Sequence, residues 1–225
     1  METISNLFKS GFNMFLQLNN FRLKHIEEES KKYTILIVGE NQSGKSSFFN
    51  RFIYNEFNLE IKPNNDITTG IKKIKFFEET LNIELIDVDN MNSPKKNPKF
   101  YEDLNINGVF VLYDITKYES FEKVDNWVKY LKLYVKNNTP FVICGNKNDL
   151  IYLKQIHSIE LEEKALTLNC DFIEVSCTDG QSIDEAVKCL VGKIYYLNLP
   201  PNKQNICIIF IKKNNILILY FFIQN

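Results

Sequence analysis

The chain has few of the side chains on which several classes of protein depend. It contains 225 residues but only two His, His25 and His157, so a histidine-rich metal site is excluded. Arg also occurs only twice, and 27 basic residues against 28 acidic ones give a net charge of −1. That balance does not supply the basic surface of a protein whose main task is to coat nucleic acid.

The five Cys lack the spacing of disulfide-bonded or zinc-binding cysteines, since no CxxC pair occurs among them. Neither a disulfide framework nor a zinc ribbon is expected, which favours an intracellular protein. Residues 1–32 lack the basic leader, the compact apolar run and the cleavage site of a signal peptide. Because Glu2 is not Gly, N-myristoylation is not expected.

What the chain does contain, between Tyr33 and about Leu197, is an alternation of short apolar runs with helical periodicity. The alternation predicts an α/β fold, with a six-stranded, mostly parallel sheet and helices on both faces. Two runs, Ile71–Phe77 and Leu81–Asp87, are three residues apart and predict an antiparallel hairpin. The six predicted strands are Tyr33–Val38, Ile71–Phe77, Leu81–Asp87, Val109–Tyr113, Phe141–Gly145 and Phe172–Val175.

Two helices of this domain carry predicted N-terminal caps. Ser120 precedes an apolar stripe that runs from Phe121 to Val135, and a cap is expected there. Ser182 and Glu185 have the spacing of a capping box before the last helix.

The predicted domain spans residues 33–198 and lies between two extensions. In residues 1–32, apolar side chains recur at helical spacing from Ile4 to Leu16, which predicts an amphipathic helix. Its polar face lacks the Lys and Arg of a strong membrane binder. Packing on the domain is therefore favoured over a membrane or partner surface.

Residues 199–225 form an apolar tail with two runs, 206–211 and 216–223, around a polar Lys-Lys-Asn-Asn segment. The tract is about 18 residues long, marginal for the roughly 20 that a spanning helix needs, and its central Lys oppose insertion. The β-rich runs are also typical of a hairpin. A membrane anchor, a hairpin and a segment that is not native to the mature protein remain three open interpretations.

A phosphate-binding pattern follows the first predicted strand directly and precedes a helix. Backbone N–H groups of such a loop and of the helix N-terminus point at the β-phosphate of a nucleotide. Lys45 brings its charge to the β- and γ-phosphates, and the Ser46 hydroxyl is a ligand of Mg²⁺. The pattern GxxxxGKS is formed by Gly39, Glu40, Asn41, Gln42, Ser43, Gly44, Lys45 and Ser46, and Ser47 follows it.

Asn146, Lys147 and Asp149 form an NKxD pattern at the end of the fifth predicted strand. The Asp149 carboxylate can accept two N–H bonds from the N1 and N2 edge of guanine, an edge that adenine does not offer. We expect Asn146 to connect this loop with the phosphate loop, and the Lys147 stem to cover the base. Downstream of a phosphate loop, the pattern indicates a guanine pocket and argues against an ATP-dependent kinase or helicase.

Over residues 33–196 the chain resembles the Ras superfamily of small GTPases, and the Rab branch most closely. The stretch Val111–Thr116, followed by Glu119-Ser120-Phe121 and Trp127, is similar to Rab sequences, and residues 174–178 stand where the family has its ExSAK loop. The resemblance implies the P-loop NTPase small G domain fold, with GTP or GDP and Mg²⁺ as ligands.

The resemblance also assigns roles to residues outside the two patterns. Phe57 packs edge-on to the base, and the Ser176 region and the backbone N–H of Cys177 support the guanine O6. Thr178, also assigned to the nucleotide site, stands in place of the family's Lys. Thr68 closes on Mg²⁺ and the γ-phosphate, or Thr69 if the register slips by one residue. Lys45 and Thr68 are the expected catalytic residues, and the expected metal ligands are Ser46, Thr68 and Asp87.

The resemblance fails after Asp87, where the family has the pattern DxxGQ. Asn90 replaces the Gly that offers its N–H to the γ-phosphate, although Asn tolerates left-handed geometry well. Met91 replaces the catalytic Gln, and a thioether cannot orient an attacking water. Asn41 and Gln42 add bulk to a loop in which the family has small residues. We expect nucleotide binding with very slow hydrolysis, unless Asp89 or Gln42 orients the water.

The expected function is a Rab-like molecular switch in vesicle or membrane traffic, with effector, exchange and possible activating proteins as partners. The expected location is cytoplasmic or on the cytosolic face of an endomembrane. The last four residues lack Cys, so prenylation is not expected and a membrane contact needs the tail, the N-terminal helix or a partner. The alternatives are a pseudo-GTPase that holds its nucleotide as a structural ligand, and an adaptor whose tail is the functional part.

Overall fold

The structure is a computed structural model that describes residues 31–58, 67–76, 79–88, 98–199, 206–213 and 216–223. The predicted N-terminal helix lies outside the described residues. So do Asp89, Asn90 and Met91. The division of the chain at residues 33 and 198 stays a prediction.

The sheet has six strands, in the order β2-β3-β1-β4-β5-β6. Only β2 runs antiparallel to its neighbour, β3, and the other four pairings are parallel. The α/β prediction is confirmed, including the antiparallel edge pair. The strands are β1 Lys32–Gly39, β2 Thr68–Phe76, β3 Glu79–Asp87, β4 Ile106–Asp114, β5 Phe141–Asn146 and β6 Asp171–Glu174.

Helices cover both faces of this sheet, and each central strand contributes side chains to both. In β1, Ile35 and Ile37 pack in one core cluster, while Leu36 and Val38 pack in the other. This alternation explains why the central strands read as continuous apolar runs. The helices are α1 Lys45–Tyr54, α2 Pro98–Glu102, α3 Tyr118–Glu122, α4 Val124–Leu131, α5 Ser158–Leu168 and α6 Ile183–Leu197, and a 3₁₀ helix spans Asn148–Leu153.

The parallel strands bring the site together at one edge of the sheet. β1 ends at Gly39 beside Leu112 of β4, and β5 ends at Asn146 beside Asp114. The loops that follow these neighbouring parallel strands therefore meet at the carboxyl ends of the strands. This is also where the strand order reverses around β1.

Both predicted caps were wrong in their chemistry. Ser120 lies inside α3, and its Oγ donates to the carbonyls of Asp114 and Lys117 at 3.1 and 2.8 Å, so it closes the turn before the helix. Ser182 does precede α6, but it has a left-handed φ of 60° and makes no side-chain cap. Glu160 instead accepts a bond from the backbone N–H of His157 at the start of α5.

The C-terminal tail forms a separate two-stranded antiparallel sheet. Its strands are β7 Ile206–Lys213 and β8 Ile216–Ile223, paired from Ile206 with Ile223 to Lys213 with Ile216. Of the three interpretations of this tail, the hairpin is the one that the structure contains. In the described part of the chain, no helix is long and apolar enough to cross a membrane.

Candidate nucleotide site

The phosphate loop is shaped by two glycines that no other residue could replace without displacing a neighbour. Gly39 has a φ of 143° and Gly44 a φ of 93°. A Cβ on Gly39 would lie 2.1 Å from the carbonyl oxygen of Leu112, and one on Gly44 would lie 2.0 Å from Nδ2 of Asn146. The close approach of β4 and β5 therefore dictates glycine at both positions.

The interior of the loop presents donors. Lys45 is buried, and its Nζ donates to the carbonyls of Gly39 and Glu40 at 2.9 and 3.1 Å, so the loop closes around the ammonium. The N–H of Phe48 donates to Gly44 O at 2.8 Å, the first backbone bond of α1. The N–H groups before it are those that a helix N-terminus leaves for an anion.

The apex of the loop is exposed, and its side chains are held from outside. Oε1 of Glu40 accepts from Nε1 of Trp127 in α4 at 3.1 Å. Oε1 of Gln42 accepts from Nζ of Lys117, in the turn before α3, at 2.6 Å. Asn41 lies between them and is exposed. The added bulk at Asn41 and Gln42 therefore lies at the exposed apex of the loop.

The candidate magnesium ligands come together at the end of β3. Ser46 Oγ donates to Oδ2 of Asp87 at 2.6 Å, and Thr68 is the residue opposite Asp87 in the β2–β3 ladder. Thr69 is opposite Ile86 and is exposed. Hydroxyl and carboxylate oxygens are the ligands that Mg²⁺ prefers, so this donor set fits the ion.

The base loops, which are residues 146–149 and 174–178, are joined to the phosphate loop by one buried side chain. Nδ2 of Asn146 donates to Ser43 O at 2.9 Å, and its Oδ1 accepts from the N–H of Cys177 at 3.3 Å. Ser176 Oγ donates to Oδ1 of Asp149 at 2.7 Å. Asn146 is thus in contact with Cys177, 31 residues away in sequence, and Asp149 with Ser176, 27 residues away.

Arg51 is a residue of this site that the sequence analysis missed. It lies on α1, and its Nε and Nη2 donate to the carbonyls of Cys177 and Thr178 at 2.9 and 2.6 Å. Its guanidinium also lies 5.9 Å from the centre of the half-buried Phe57 ring. Arg51 therefore fixes the loop that carries Thr178. No local pattern announces this contact, which spans 126 residues of sequence.

Asp114 is a second missed residue, placed under the base loop at the end of β4. Its Oδ2 accepts from Nζ of Lys147 at 2.6 Å, and its Oδ1 accepts from the hydroxyl and N–H of Thr116 at 2.7 and 2.9 Å. Burial alone would raise the pKa of Asp114, but the bonds from Lys147 and Thr116 hold it below its ordinary value. The ionised Asp114 thus anchors Lys147, whose backbone has a left-handed φ of 70°.

The buried cysteine of the base loop is held as a neutral thiol. Burial raises the pKa of Cys177 to about 12. The residue contributes to the structure through its backbone N–H, which donates to Oδ1 of Asn146. Within the described residues, no group of three or more His, Cys, Asp and Glu is placed to hold a metal ion.

Comparison with known proteins agrees with this geometry. The sequence matches the model of the Ras family over residues 34–196. It is similar to GTP-binding protein ypt3 of Schizosaccharomyces pombe, with 27% identity over 75% of this chain and 78% of that protein. It is also similar to Ras-related protein RabC of Dictyostelium discoideum, with 31% identity over 74% of this chain and 86% of that protein.

Proposed function

Because the chain belongs to the Ras family of small GTPases and is similar to its Rab members, we propose that it is a guanine-nucleotide-dependent switch with slow or impaired GTP hydrolysis. Its proposed setting is vesicle or membrane traffic, on the cytosolic face of an endomembrane or in the cytoplasm. Effector, exchange and possible activating proteins are its proposed partners.

The observation that carries the proposal is the bridge from Ser43 through Asn146 to Cys177. It holds the phosphate loop and the base loops in one arrangement. In our proposal the base enters beside Asp149, whose carboxylate accepts from guanine. The stem of Lys147 covers one side of the ring and Phe57 packs against its edge. Ser176, Cys177 and Thr178 line the O6 side.

The phosphates in this proposal lie in the loop from Gly39 to Ser47, with the ammonium of Lys45 at the β- and γ-phosphates. Ser46, Thr68 and Asp87 would hold Mg²⁺, which when bound neutralises charge on the phosphate oxygens. The neighbouring N–H groups at the start of α1 orient the β-phosphate. These residues account for binding and for neutralising charge.

Orientation of the attacking water is the step for which this chain is poorly equipped. Met91 stands at the position of the family's catalytic Gln, and its thioether does not both accept from and donate to a water. Asn90 stands where the family has Gly. These two substitutions also favour the second candidate function, a pseudo-GTPase or adaptor that holds GTP or GDP as a structural ligand.

Nucleotide content and base preference test the binding proposal. Full-length protein is purified and denatured, and the released nucleotide is identified by chromatography. We expect GDP or GTP. Asp149→Asn should lower the preference for GTP over ATP by about 1–3 kcal/mol, because it replaces the acceptor of the guanine N–H groups. An unchanged preference in this variant would exclude Asp149 as the base-reading residue.

Single-turnover hydrolysis separates the two candidate functions. The wild type, loaded with GTP, should hydrolyse it very slowly, and the double variant Asn90→Gly, Met91→Gln should be faster. Turnover in the wild type supports a cycling switch, while GTP that persists for hours supports the structural-ligand alternative. If the double variant shows no gain, other residues such as Asn41 and Gln42 limit the rate.

A further inference from the structure

Lys117 reaches the phosphate loop from outside the motif that defines it. Its Nζ lies 2.6 Å from Oε1 of Gln42, which stands two residues before Gly44 and three before Lys45. Both long side chains are exposed. An exposed pair of this kind adds little to folding stability, because two flexible side chains must be ordered to form it.

The backbone of Gln42 also argues against a purely structural role for the pair. Its φ of 65° lies in the left-handed region, where glycine is unstrained and a longer residue is not. A glycine at this position would make the turn without strain. The loop conformation therefore does not require the Gln42 side chain. The contact that this side chain makes is with the ammonium of Lys117.

The turn that carries Lys117 is fixed by several hydrogen bonds. The N–H of Lys117 donates to Asp114 O at 3.0 Å, and Ser120 Oγ donates to Lys117 O at 2.8 Å. The side chain of Asp114 in turn holds Thr116 and Lys147. The ammonium of Lys117 is thus presented from a rigid base, and Gln42 directs it to the loop.

The charges around the apex leave this ammonium available to an anion. Its contact in the structure is the neutral amide of Gln42, while the nearest acidic side chain of the loop, Glu40, accepts from the indole of Trp127 at 3.1 Å. Lys45 supplies a positive charge from inside the loop. Lys117 supplies another from its exposed side.

We propose that Lys117 is a second phosphate-binding cation of this chain, which Gln42 holds against the mouth of the phosphate loop and which slows nucleotide release. The inference rests on the proposed function. It adds a binding residue from the turn between β4 and α3.

Release of a fluorescent GDP analogue from full-length protein, chased with excess GDP, tests this role. Lys117→Met should accelerate release about tenfold, the effect of losing one charged hydrogen bond. Lys117→Arg should stay close to the wild type. The matched control is Lys123→Met, at an exposed position between α3 and α4, which should change release by less than about twofold. Gln42→Gly should give an intermediate acceleration, because the ammonium remains but is no longer held.

Salt distinguishes an ionic role from a structural one. The difference between Lys117→Met and the wild type should shrink as KCl is raised to about 1 M, because an exposed charge is screened. Equal release from Lys117→Met and Lys123→Met, or a difference that salt does not change, overturns the inference and leaves the proposed function intact. A wild type that does not bind the analogue overturns both.

Discussion

The base loops and the phosphate loop recognise opposite ends of one nucleotide, yet they are built differently. In the base loops, side chains make the contacts that hold the segments together. Asn146 and Ser176 are buried and hydrogen-bonded to neighbouring segments. In the phosphate loop the donors are backbone N–H groups and one lysine, and the apex side chains Asn41 and Gln42 are exposed.

This difference explains where the sequence departs from its family. A loop that binds through its backbone tolerates new side chains on its outer surface, provided that its glycines remain. A loop that binds through buried side chains does not, since each replacement leaves a buried partner unpaired. Asn41 and Gln42, which are exposed, therefore differ from the family's small residues, while the buried Asn146 matches the family pattern.

The largest expected effect is at the point where the two loops touch. Gly44→Ala places a Cβ 2.0 Å from Nδ2 of Asn146 in a left-handed backbone, and should lower the free energy of unfolding by about 3 kcal/mol and abolish tight GDP binding. Urea unfolding and GDP titration measure both.

The matched control for this variant is Gly180→Ala. Gly180 has a similar φ of 81°, but its Cβ would meet Cδ and Nε of Arg51 at 3.5 and 3.8 Å, which is ordinary contact. Gly180→Ala should lower the free energy of unfolding by about 1–2 kcal/mol, from backbone strain alone. Equal losses in the two variants would mean that strain, and not the contact between the loops, dictates glycine at position 44.

An intermediate effect is expected beneath the base loop. Asp114→Asn should lower the free energy of unfolding by about 2 kcal/mol at neutral pH, because Lys147 loses a charged, buried partner. The folded pKa of Asp114 is below its ordinary 3.8, so its contribution is present above that value and is lost as the pH falls through the folded pKa.

Urea unfolding of both proteins between pH 7 and about pH 3 checks the sign of this effect. The difference between wild type and Asp114→Asn should be constant at neutral pH and narrow at the acid end. A difference that grows on acidification would contradict an ionised Asp114 in the folded protein.

The smallest effects compare one supporting residue from each loop. Arg51→Met keeps the apolar stem but removes the bonds to the carbonyls of Cys177 and Thr178, and should weaken GDP binding about tenfold. Asn41→Ala, at the exposed apex, should change GDP affinity by less than about twofold. Titration with a fluorescent GDP analogue measures both, and an equal loss in the two variants would remove the distinction between the loops.

The sequence predicts the sheet well because the central strands β1, β4 and β5 are apolar runs of their own. The phosphate loop and NKxD pattern can also be found, since their residues are close in sequence and their chemistry requires that spacing. Trp127 shows the limit of this approach. It belongs to the predicted apolar stripe and is buried, but its indole N–H also holds Glu40, 87 residues away in sequence.

Residues that act across long sequence separations could not be predicted in the same way. Arg51 is an ordinary basic residue of an amphipathic helix until β6 brings Cys177 to it. Ser120 and Ser182 have the local pattern of helix caps, but the first bonds the carbonyl end of β4 and the second has a left-handed backbone. In both cases tertiary contacts outweigh a local preference of about 1 kcal/mol.

The antiparallel pairing of β2 with β3 fixes which threonine of β2 lies opposite Asp87. Thr68 follows Lys45 by 23 residues, about four more than in the family, yet the ladder still sets Thr68 opposite Asp87. A slip of one residue in this ladder would place Thr69 instead of Thr68 opposite Asp87. A change in the length of the connection between α1 and β2 therefore need not alter which residue of β2 pairs with Asp87.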